Sequence, residues 1–584
     1  MSDKAAKKEG GAKRSASDAA PKKGAGKSAK GSSSASPAAG ASITYTPKPH
    51  EELVTEALKI WNDLRKKNND KATVRTLNDS LFALLEGKFV AVSKKHDASR
   101  VVQACVQFGT PEQRVAVLKE LKDNLADLAK QQYSHFIVLK LFKYCSQEEK
   151  SRATLVKALK GNVVSLACHS VAARVVEFAL GELPSRDSAQ LKREFFGKQY
   201  GIFPATSPSP TRSASTPLTP LETVLGENPD KKEAILETTR GVLEKMIEKK
   251  LFPFEFVHEL LASYLSAAPA SEVRTFASSI VDSSLLLLST RAGSRALCML
   301  VSMATAKDRK RVIKTLKGYT RSTLMHRDAY VAVLRVVQVT DDTVSTQKMV
   351  LNELLKPPEV PAGADAVFTG HPLFPIASDA NASKLLLLLL SGSTEPLSIH
   401  FDPWELALLG EAKIEDEETG ELVATSKKNP DTRKAELRQY LRGDIIKMID
   451  AHAAELVQSK VGGKVLVEAA SQFPDEVGAA LLKAVEQEGL GLFDHPVAHR
   501  IMKKIIQTEG SGFAAKLLEE RAGDLKEIMG TSNGAFVVAA TIEAGGDEGK
   551  AAAKKSGLKK EAQAKIKDSK VEKKAGYEAL LKVV

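Results

Sequence analysis

A short helical pattern that recurs about every 36 residues constrains this chain more than any other feature. Residues 96–109, HDASRVVQACVQFG, place a basic residue before two apolar residues, and later segments repeat the arrangement at spacings of 35 to 38 residues. A period of this length is typical of a solenoid of stacked helical units. We call the basic or aromatic residue of each unit its anchor. The anchors are Arg100, Phe136, Arg174, Arg295, Tyr330, Lys464, Arg500 and Phe536, with weaker candidates at His258 and Lys384.

Helix geometry predicts which side of each unit is buried. At about 100° per residue, positions +1, +2 and +5 from the anchor share one face, and positions −1, 0 and +3 fall on nearly the opposite face. In the first unit the apolar face holds Val101, Val102 and Cys105, while Ser99, Arg100 and Gln103 occupy the other. We therefore expect an apolar stripe that joins the units and a second face displayed along one continuous surface.

Length and charge set the broad class of protein. A chain of 584 residues exceeds one ordinary core, and its net charge of +13 favours a polyanionic partner such as nucleic acid or an acidic membrane surface, unless the basic tails alone supply the excess. Four cysteines without a CxxC pair predict reduced, buried thiols. The N-terminus lacks an apolar signal segment, and the longest apolar run, Leu385–Leu390, is too short for a membrane span. We expect a soluble, intracellular protein with no cofactor and no bound metal.

Composition along the chain predicts five regions. Residues 1–46 form a disordered basic tail, which either directs nuclear import or only solubilises the chain. Helical repeats occupy 47–203 and 233–549, separated by a Ser/Thr/Pro-rich linker at 204–232, whose Ser/Thr-Pro dipeptides are either phosphorylation sites or plain spacer. An acidic loop is expected at 411–430. Residues 550–584 form a second basic tail, part of which has helical composition.

Ser99-Arg100-x-x-Gln103 resembles the base-reading motif of Pumilio (PUF) repeats. In that family the residues at −1 and +3 meet a base edge and the residue between them stacks, so that each helical repeat reads one base. Most units here carry Ala, Leu, Val or Gly at one or both of these positions, which breaks the code. This departure, the segments ELVTEALKIWNDLRKK and HPVAHRIMKKII, and the basic tails resemble the nucleolar Puf-A branch of the family, over roughly residues 48–545.

The resemblance implies an all-α PUF-type solenoid of about eleven repeats with a bent outline. It also implies nucleic-acid binding with little sequence preference, a nucleolar role in large-subunit ribosome biogenesis, and, for some members, translational regulation of mRNA. The expected partners are pre-ribosomal RNA, mRNA and pre-60S particles, and the chain is expected to be a monomer. The candidate RNA-binding residues are Ser99, Arg100, Gln103, Phe136, Lys140, Arg174, Arg295, Tyr330, Lys464, Arg500, Lys503 and Lys504.

The chain lacks the motifs of common enzymes. Walker, GxSxG and HExxH patterns are absent, so we predict no catalytic activity. His96, His169, His326 and His495 recur shortly before an anchor, where a role in a turn or cap is favoured over metal binding. For Arg100 alone, a solvated helix face that is salt-bridged to a neighbour is the favoured explanation, and only the recurrence favours a binding surface. The alternative to an RNA-binding protein is a nuclear helical scaffold of the armadillo or HEAT kind that binds proteins.

Overall fold

The computed structural model describes residues 51–202, 219–358, 368–392, 397–416 and 418–584, which are almost entirely helical. The predicted disordered tail at 1–46 lies outside these residues. The N-terminal part contains α1 Glu51–Leu64, α2 Lys71–Leu85, α3 Phe89–Ser93, α4 Ser99–Phe108, α5 Pro111–Leu121, α6 Leu125–Lys130, α7 His135–Cys145, α8 Glu149–Leu159, α9 Val163–Ala167, α10 Ala173–Glu182, α11 Ser185–Lys192 and α12 Lys198–Ile202.

The central part continues the same alternation of short and longer helices. It contains α13 Pro220–Glu227, α14 Lys232–Glu248, α15 Glu255–Ala267, α16 Ala270–Ile280, α17 Ser284–Leu287, α18 Arg291–Met303, α19 Ala306–Leu316, α20 Thr320–Met325, α21 Tyr330–Val339, α22 Thr343–Thr346, α23 Asn352–Leu354, α24 Phe374–Ser378, α25 Ser383–Leu390 and α26 Pro403–Leu409.

A two-stranded antiparallel hairpin, β1 Lys413–Glu415 and β2 Leu422–Ala424, precedes the C-terminal helices and pairs Ile414 with Val423. The helices that follow are α27 Pro430–Gln458, α28 Lys460–Gln472, α29 Pro474–Glu488, α30 Ala498–Gln507, α31 Phe513–Arg521, α32 Leu525–Ile528, α33 Ser532–Ala544, α34 Gly546–Lys555, α35 Leu558–Lys567 and α36 Ala575–Leu581. Single 3₁₀ turns lie at Lys122–Asn124, Arg193–Phe196, Pro229–Lys231, Val281–Ser283, Leu397–Ile399, Leu490–Phe493 and Ala522–Asp524, and a π-helical turn at Gln347–Leu351.

The anchors all lie on one layer of helices, which we call the anchor helices. These are α4, α7, α10, α15, α18, α21, α25, α28, α30 and α33, and each contacts the next along the chain. The layer continues across the predicted linker, because the Glu177 carboxylate of α10 accepts hydrogen bonds from the Glu255 and Phe256 amides at the start of α15, at 2.9 and 3.1 Å. The expected all-α solenoid is confirmed, while the number of repeats and the bent outline stay predictions.

Several anchor helices begin with the same local chemistry. The Thr290 hydroxyl accepts a hydrogen bond from the Gly293 amide at 3.0 Å, and Thr531 does the same for Gly534 at 3.1 Å. Such a cap satisfies an amide that has no partner inside the helix. The glycine is needed because a Cβ on Gly534 would approach the Ile528 carbonyl oxygen within 1.9 Å. The first turn of the helix therefore packs directly on the end of the preceding short helix.

Three of the predicted region boundaries need correction. The segment predicted as linker, 204–232, contains helix α13, which starts at a capping box in which Thr219 and Glu222 bind each other's amides. The acidic loop predicted at 411–430 forms the β hairpin. The basic tail predicted at 550–584 folds into helices, and Tyr577 and Leu580 of α36 are buried. In each segment a few apolar residues, hidden in a polar or charged composition, provide enough contact with the array.

Candidate nucleic-acid interface

The face predicted to be buried is buried. Val101, Val102 and Cys105 have no exposed surface, and burial raises the pKa of the Cys105 thiol to about 12. All four cysteines are free and buried, as expected. The +1, +2 and +5 positions therefore join neighbouring units. The surface of each anchor helix that stays accessible is a narrow strip beside its anchor residue.

Position −1 is not part of this strip, and the predicted role of Ser99 is wrong on this point. Ser99 is 1% exposed, and its hydroxyl donates to the His96 carbonyl at 3.3 Å. The cause is the next unit: a Cβ on Gly463, at position −1 of its helix, would lie 2.6 Å from the Ile501 side chain at position +1 of the next anchor helix. Position −1 is buried in every anchor helix, so it offers almost no surface to a base edge.

The three N-terminal anchors are accessible. Arg100 and Arg174 are exposed, and the Phe136 ring is 41% exposed, with its centroid 3.9 Å from that of His135. Gln103, at position +3, is half-buried beside Arg100. This group presents two cations and an aromatic ring on three consecutive helices.

Additional aromatic surface surrounds these N-terminal anchors. Tyr133, 41% exposed, meets the His96 ring edge-on at 4.0 Å between centroids. Lys140 is half-buried, donates to the Gln107 side chain and lies 6.0 Å from the Tyr144 ring. Lys140, which the sequence predicted as an RNA-binding residue, therefore already has partners within the protein.

The central anchors are covered by another part of the chain. Arg295 is half-buried with its guanidinium carbon 5.2 Å from the centre of the Trp404 ring, and its Nε is buried without a hydrogen-bond partner. Tyr330, a candidate RNA contact for which packing was the alternative, is 2% exposed and donates its hydroxyl to Glu405, so it packs. Burial and the Glu405 carboxylate both raise the pKa of Tyr330. Lys384, a weak candidate anchor, donates to both Glu405 carboxylate oxygens at 2.6 and 2.7 Å.

The C-terminal anchors are again accessible. Lys464 and Arg500 are exposed, as is Lys504. Lys503 is half-buried with its Nζ 5.4 Å from the centre of the Phe536 ring, which is itself half-buried. The accessible anchors therefore form two groups along the layer, one on α4, α7 and α10 and one on α28, α30 and α33.

Three of the recurring histidines hold the turn that precedes an anchor helix, one of the two roles (turn or cap) predicted for them. His169 Nδ1 accepts hydrogen bonds from the Val171 and Ala172 amides at 3.2 and 3.3 Å, and His326 and His495 make the equivalent pairs of bonds in their units. In these bonds Nδ1 is the acceptor, and at His169 this geometry favours the neutral ring. Burial, with nearby lysines, lowers the pKa of His169 accordingly. Among the described residues no group of three or more histidine, cysteine or acidic side chains is arranged to hold a metal ion.

Sequence reasoning missed Arg291, Trp404 and Glu405. Arg291 lies one helical turn before Arg295, with its guanidinium carbon 5.3 Å from the Trp404 ring. The one available signal was DPWE at residues 402–405, which has the spacing of a capping box at a helix start. It predicts helix α26 but gives no sign of the surface on which that helix lies.

Two family models and several relatives match this chain. The model described as "Pumilio-family RNA binding repeat" matches residues 89–122 and 124–152, and the model of the CPL (NUC119) domain matches 378–517. Human Pumilio homolog 3 is 25% identical over 518 residues, which cover 85% of this chain and 74% of the relative. Pumilio homology domain family member 6 of Schizosaccharomyces pombe is 27% identical over 534 residues, covering 86% and 76%.

The fold is that of a solved structure. The crystal structure of human Puf-A in complex with DNA superposes with a TM-score of 0.71 at 24% identity, covering 92% of this chain and all of that one. The chain is similar to Pumilio-repeat proteins and has the fold of Puf-A. The resemblance seen in the opening motif is thereby confirmed. Within this Puf-A-type array the described residues contain no helix long and apolar enough to cross a membrane.

Proposed function

We propose that this Puf-A-type chain binds RNA through its two groups of accessible anchors, with little dependence on base sequence. The observation that carries the proposal is that Arg100, Arg174, Lys464 and Arg500 are exposed at the same position of their units. None of the four forms an ion pair with any other described residue. Cations aligned along one layer with no protein partner are suited to successive phosphates of a nucleic acid.

Low sequence preference follows from what flanks the anchors. Position −1 is buried, and position +3 holds apolar side chains such as Leu139 and Val467 in several units. Without a pair of polar groups at the base edge, binding rests on phosphate contacts and on stacking against Phe136 and the arginines. The matching family model is described as an RNA binding repeat, and human Puf-A has been crystallised with DNA, which supports a nucleic-acid ligand.

The C-terminal helices supply a further cationic surface. Residues 550–574 contain ten lysines and three acidic residues, and most of these lysines are exposed on or beside α34 and α35. This surface adds phosphate contacts beyond the last anchor helix. We place the activity in the nucleolus, on pre-ribosomal RNA and pre-60S particles during large-subunit biogenesis, with mRNA as a second target and the monomer as the active form.

A salt titration tests the proposal. Each single-strand phosphate that is neutralised contributes about 0.7 to the slope of log affinity against log salt, so four anchors give a slope of about −2.8. Affinity for a fluorescent single-stranded RNA, measured by anisotropy, is then expected to fall about 50-fold between 50 and 200 mM salt. Arg100→Ala reduces the slope by about 0.7.

Arg186→Ala is the matched control, because Arg186 is exposed on α11, outside the anchor layer. An affinity that does not depend on salt, or an equal effect of both substitutions, contradicts the proposed surface. Absence of RNA binding favours the alternative, a helical scaffold for proteins. Unrelated RNAs of equal length are expected to compete equally, and a strong preference for one short element contradicts the low specificity.

A further inference from the structure

Helix α26 lies across three consecutive anchors. It contacts α18 and α21, and through Trp404 and Glu405 it reaches Arg295, Tyr330 and Lys384. These are the residues at the anchor position of three successive units. The chain thus covers, with its own side chains, the anchors of three of the four units that lie between the two accessible groups.

The covering side chains contact the anchors with the same chemical groups that a nucleotide offers, a flat ring and an anionic oxygen. The Trp404 indole lies 5.3 and 5.2 Å from the guanidinium carbons of Arg291 and Arg295, the separation at which a flat ring attracts a cation. RNA bases stack on arginine in the same way. The Glu405 carboxylate is completely buried and takes hydrogen bonds from Lys384 and Tyr330, where a phosphate oxygen is the corresponding acceptor.

The cover is fixed at both ends. At its start, the Glu405 carboxylate also accepts the Asp402 amide at 2.6 Å. At its end, the Leu409 carbonyl accepts the Gln338 side-chain amide of α21 at 2.7 Å. Beyond the hairpin that follows, the Ser426 hydroxyl donates to the Val339 carbonyl at the end of α21 at 2.7 Å. The segment is therefore an integral part of the array.

We infer that α26 is an internal substitute for nucleic acid, which keeps RNA away from Arg295, Tyr330 and Lys384. This inference rests on the proposed function of the exposed anchors. RNA bound by the wild-type chain contacts the anchors of α4, α7 and α10 and those of α28, α30 and α33, and passes over the four units between them. An aromatic ring and a carboxylate supplied by the chain itself thus divide the RNA-binding surface into two parts.

Two alanine substitutions in the otherwise wild-type chain test the inference. Arg100→Ala is expected to weaken RNA binding at least about fivefold, as loss of a stacking contact does, whereas Arg295→Ala is expected to change it by less than about twofold, as at a surface site without a contact. Equal weakening by both substitutions shows that RNA reaches Arg295 and overturns the inference alone. If neither substitution weakens binding, the proposed surface is wrong and the inference falls with it.

Opening the cover provides a second measurement. Trp404→Ala combined with Glu405→Gln removes the indole and the negative charge while keeping an acceptor for Lys384. We expect RNA to bind this variant about fivefold more tightly, and Arg295→Ala in the same background to reverse the gain, since a base gains one stacking site. Unchanged affinity in a variant whose circular dichroism matches the wild type contradicts the inference. If this variant does not fold, the comparison of Arg295→Ala with Arg100→Ala tests the inference by itself.

Discussion

A single buried arginine, Arg309 of α19, joins two anchor helices to the hairpin. It is 1% exposed, and its Nε donates to the Val301 carbonyl at 3.0 Å. Its two terminal nitrogens donate to the carbonyls of Ser302 and Val339, at the ends of α18 and α21, each at 2.8 Å. The same nitrogens reach the Thr425 hydroxyl at 2.8 Å and the Ser426 hydroxyl at 2.9 Å.

We predict that Arg309→Met lowers the free energy of unfolding of this region by about 1–3 kcal/mol, the cost of leaving a buried hydrogen-bonding group without its partner. The Val301 carbonyl loses the donor at Nε, which costs about 1–3 kcal/mol at a buried acceptor. The Ser302 and Val339 carbonyls lose less, because the hydroxyls of Thr425 and Ser426 still donate to them. Burial lowers the pKa of Arg309 to about 10, so the side chain is charged at pH 7 and its removal also relieves a desolvation cost.

Hydrogen exchange measured by mass spectrometry locates this effect. We expect faster exchange in 418–428 and at the ends of α18 and α21, together with a lower melting temperature. Lys310→Met is the matched control, since Lys310 is the next residue and pairs with Asp342 at 3.2 Å on the surface, where an ion pair contributes less than about 1 kcal/mol. Wild-type exchange in the hairpin of Arg309→Met refutes the view that this arginine holds it.

Three further predictions concern the anchors, the pH and the N-terminal tail. Val102→Asp unfolds the N-terminal units because it buries a charge without a partner, whereas Arg100→Ala changes the free energy of unfolding by less than about 0.5 kcal/mol. A melting temperature that falls more in Arg100→Ala than in Val102→Asp contradicts the assignment of Val102 to the buried face and Arg100 to the exposed one. His258 is buried with Nε2 bound to the Phe252 carbonyl and Nδ1 to Thr290, and burial lowers its pKa. The folded protein therefore favours neutral His258, and this stabilisation is complete above pH ~6.5, the pKa of histidine in an unfolded chain, and is lost as the pH falls below that value. Thermal melts from pH 7.5 to 5 test this prediction. If the melting temperature of His258→Gln falls with pH as steeply as that of the wild type, the prediction is contradicted. Deletion of residues 1–46 is expected to leave the melting temperature unchanged and to reduce the nuclear accumulation of a fluorescent fusion protein. Unchanged localisation contradicts this prediction and favours the C-terminal lysines as the nuclear import signal.

Periodicity alone predicted the buried face of the units. A strict spacing from the anchor to two apolar residues fixes one side of a helix, and Val101, Val102 and Cys105 are buried because that side must join the neighbouring unit. The role of the histidines in the turns before the anchor helices followed from the same alignment. These predictions succeeded because each depends on residues within one helix and its preceding turn.

The predictions that failed depend on neighbours far along the chain. Ser99 falls on the open side of an isolated helix, but an anchor helix has a neighbour on each flank, and the following unit covers position −1. Tyr330 and Arg295 are covered by residues that lie 75 and 109 positions later, Glu405 and Trp404. A single sequence without contact information cannot place α26 over α18 rather than over any other apolar surface.

The C-terminal lysines show how one segment meets two physical demands. The last unit of a solenoid needs a cap, because its outer face has no following unit. Helix α36 supplies it: Tyr577 is buried against the array and its hydroxyl donates to the Gly530 carbonyl at 2.9 Å, while the Gly576 amide donates to the Ser532 hydroxyl at 3.1 Å. A few apolar residues, among them Leu558 and Leu580, are enough to attach these helices. Their remaining surface is thereby free to carry lysines, so that the end of the array is both closed against further stacking and positively charged toward a polyanion.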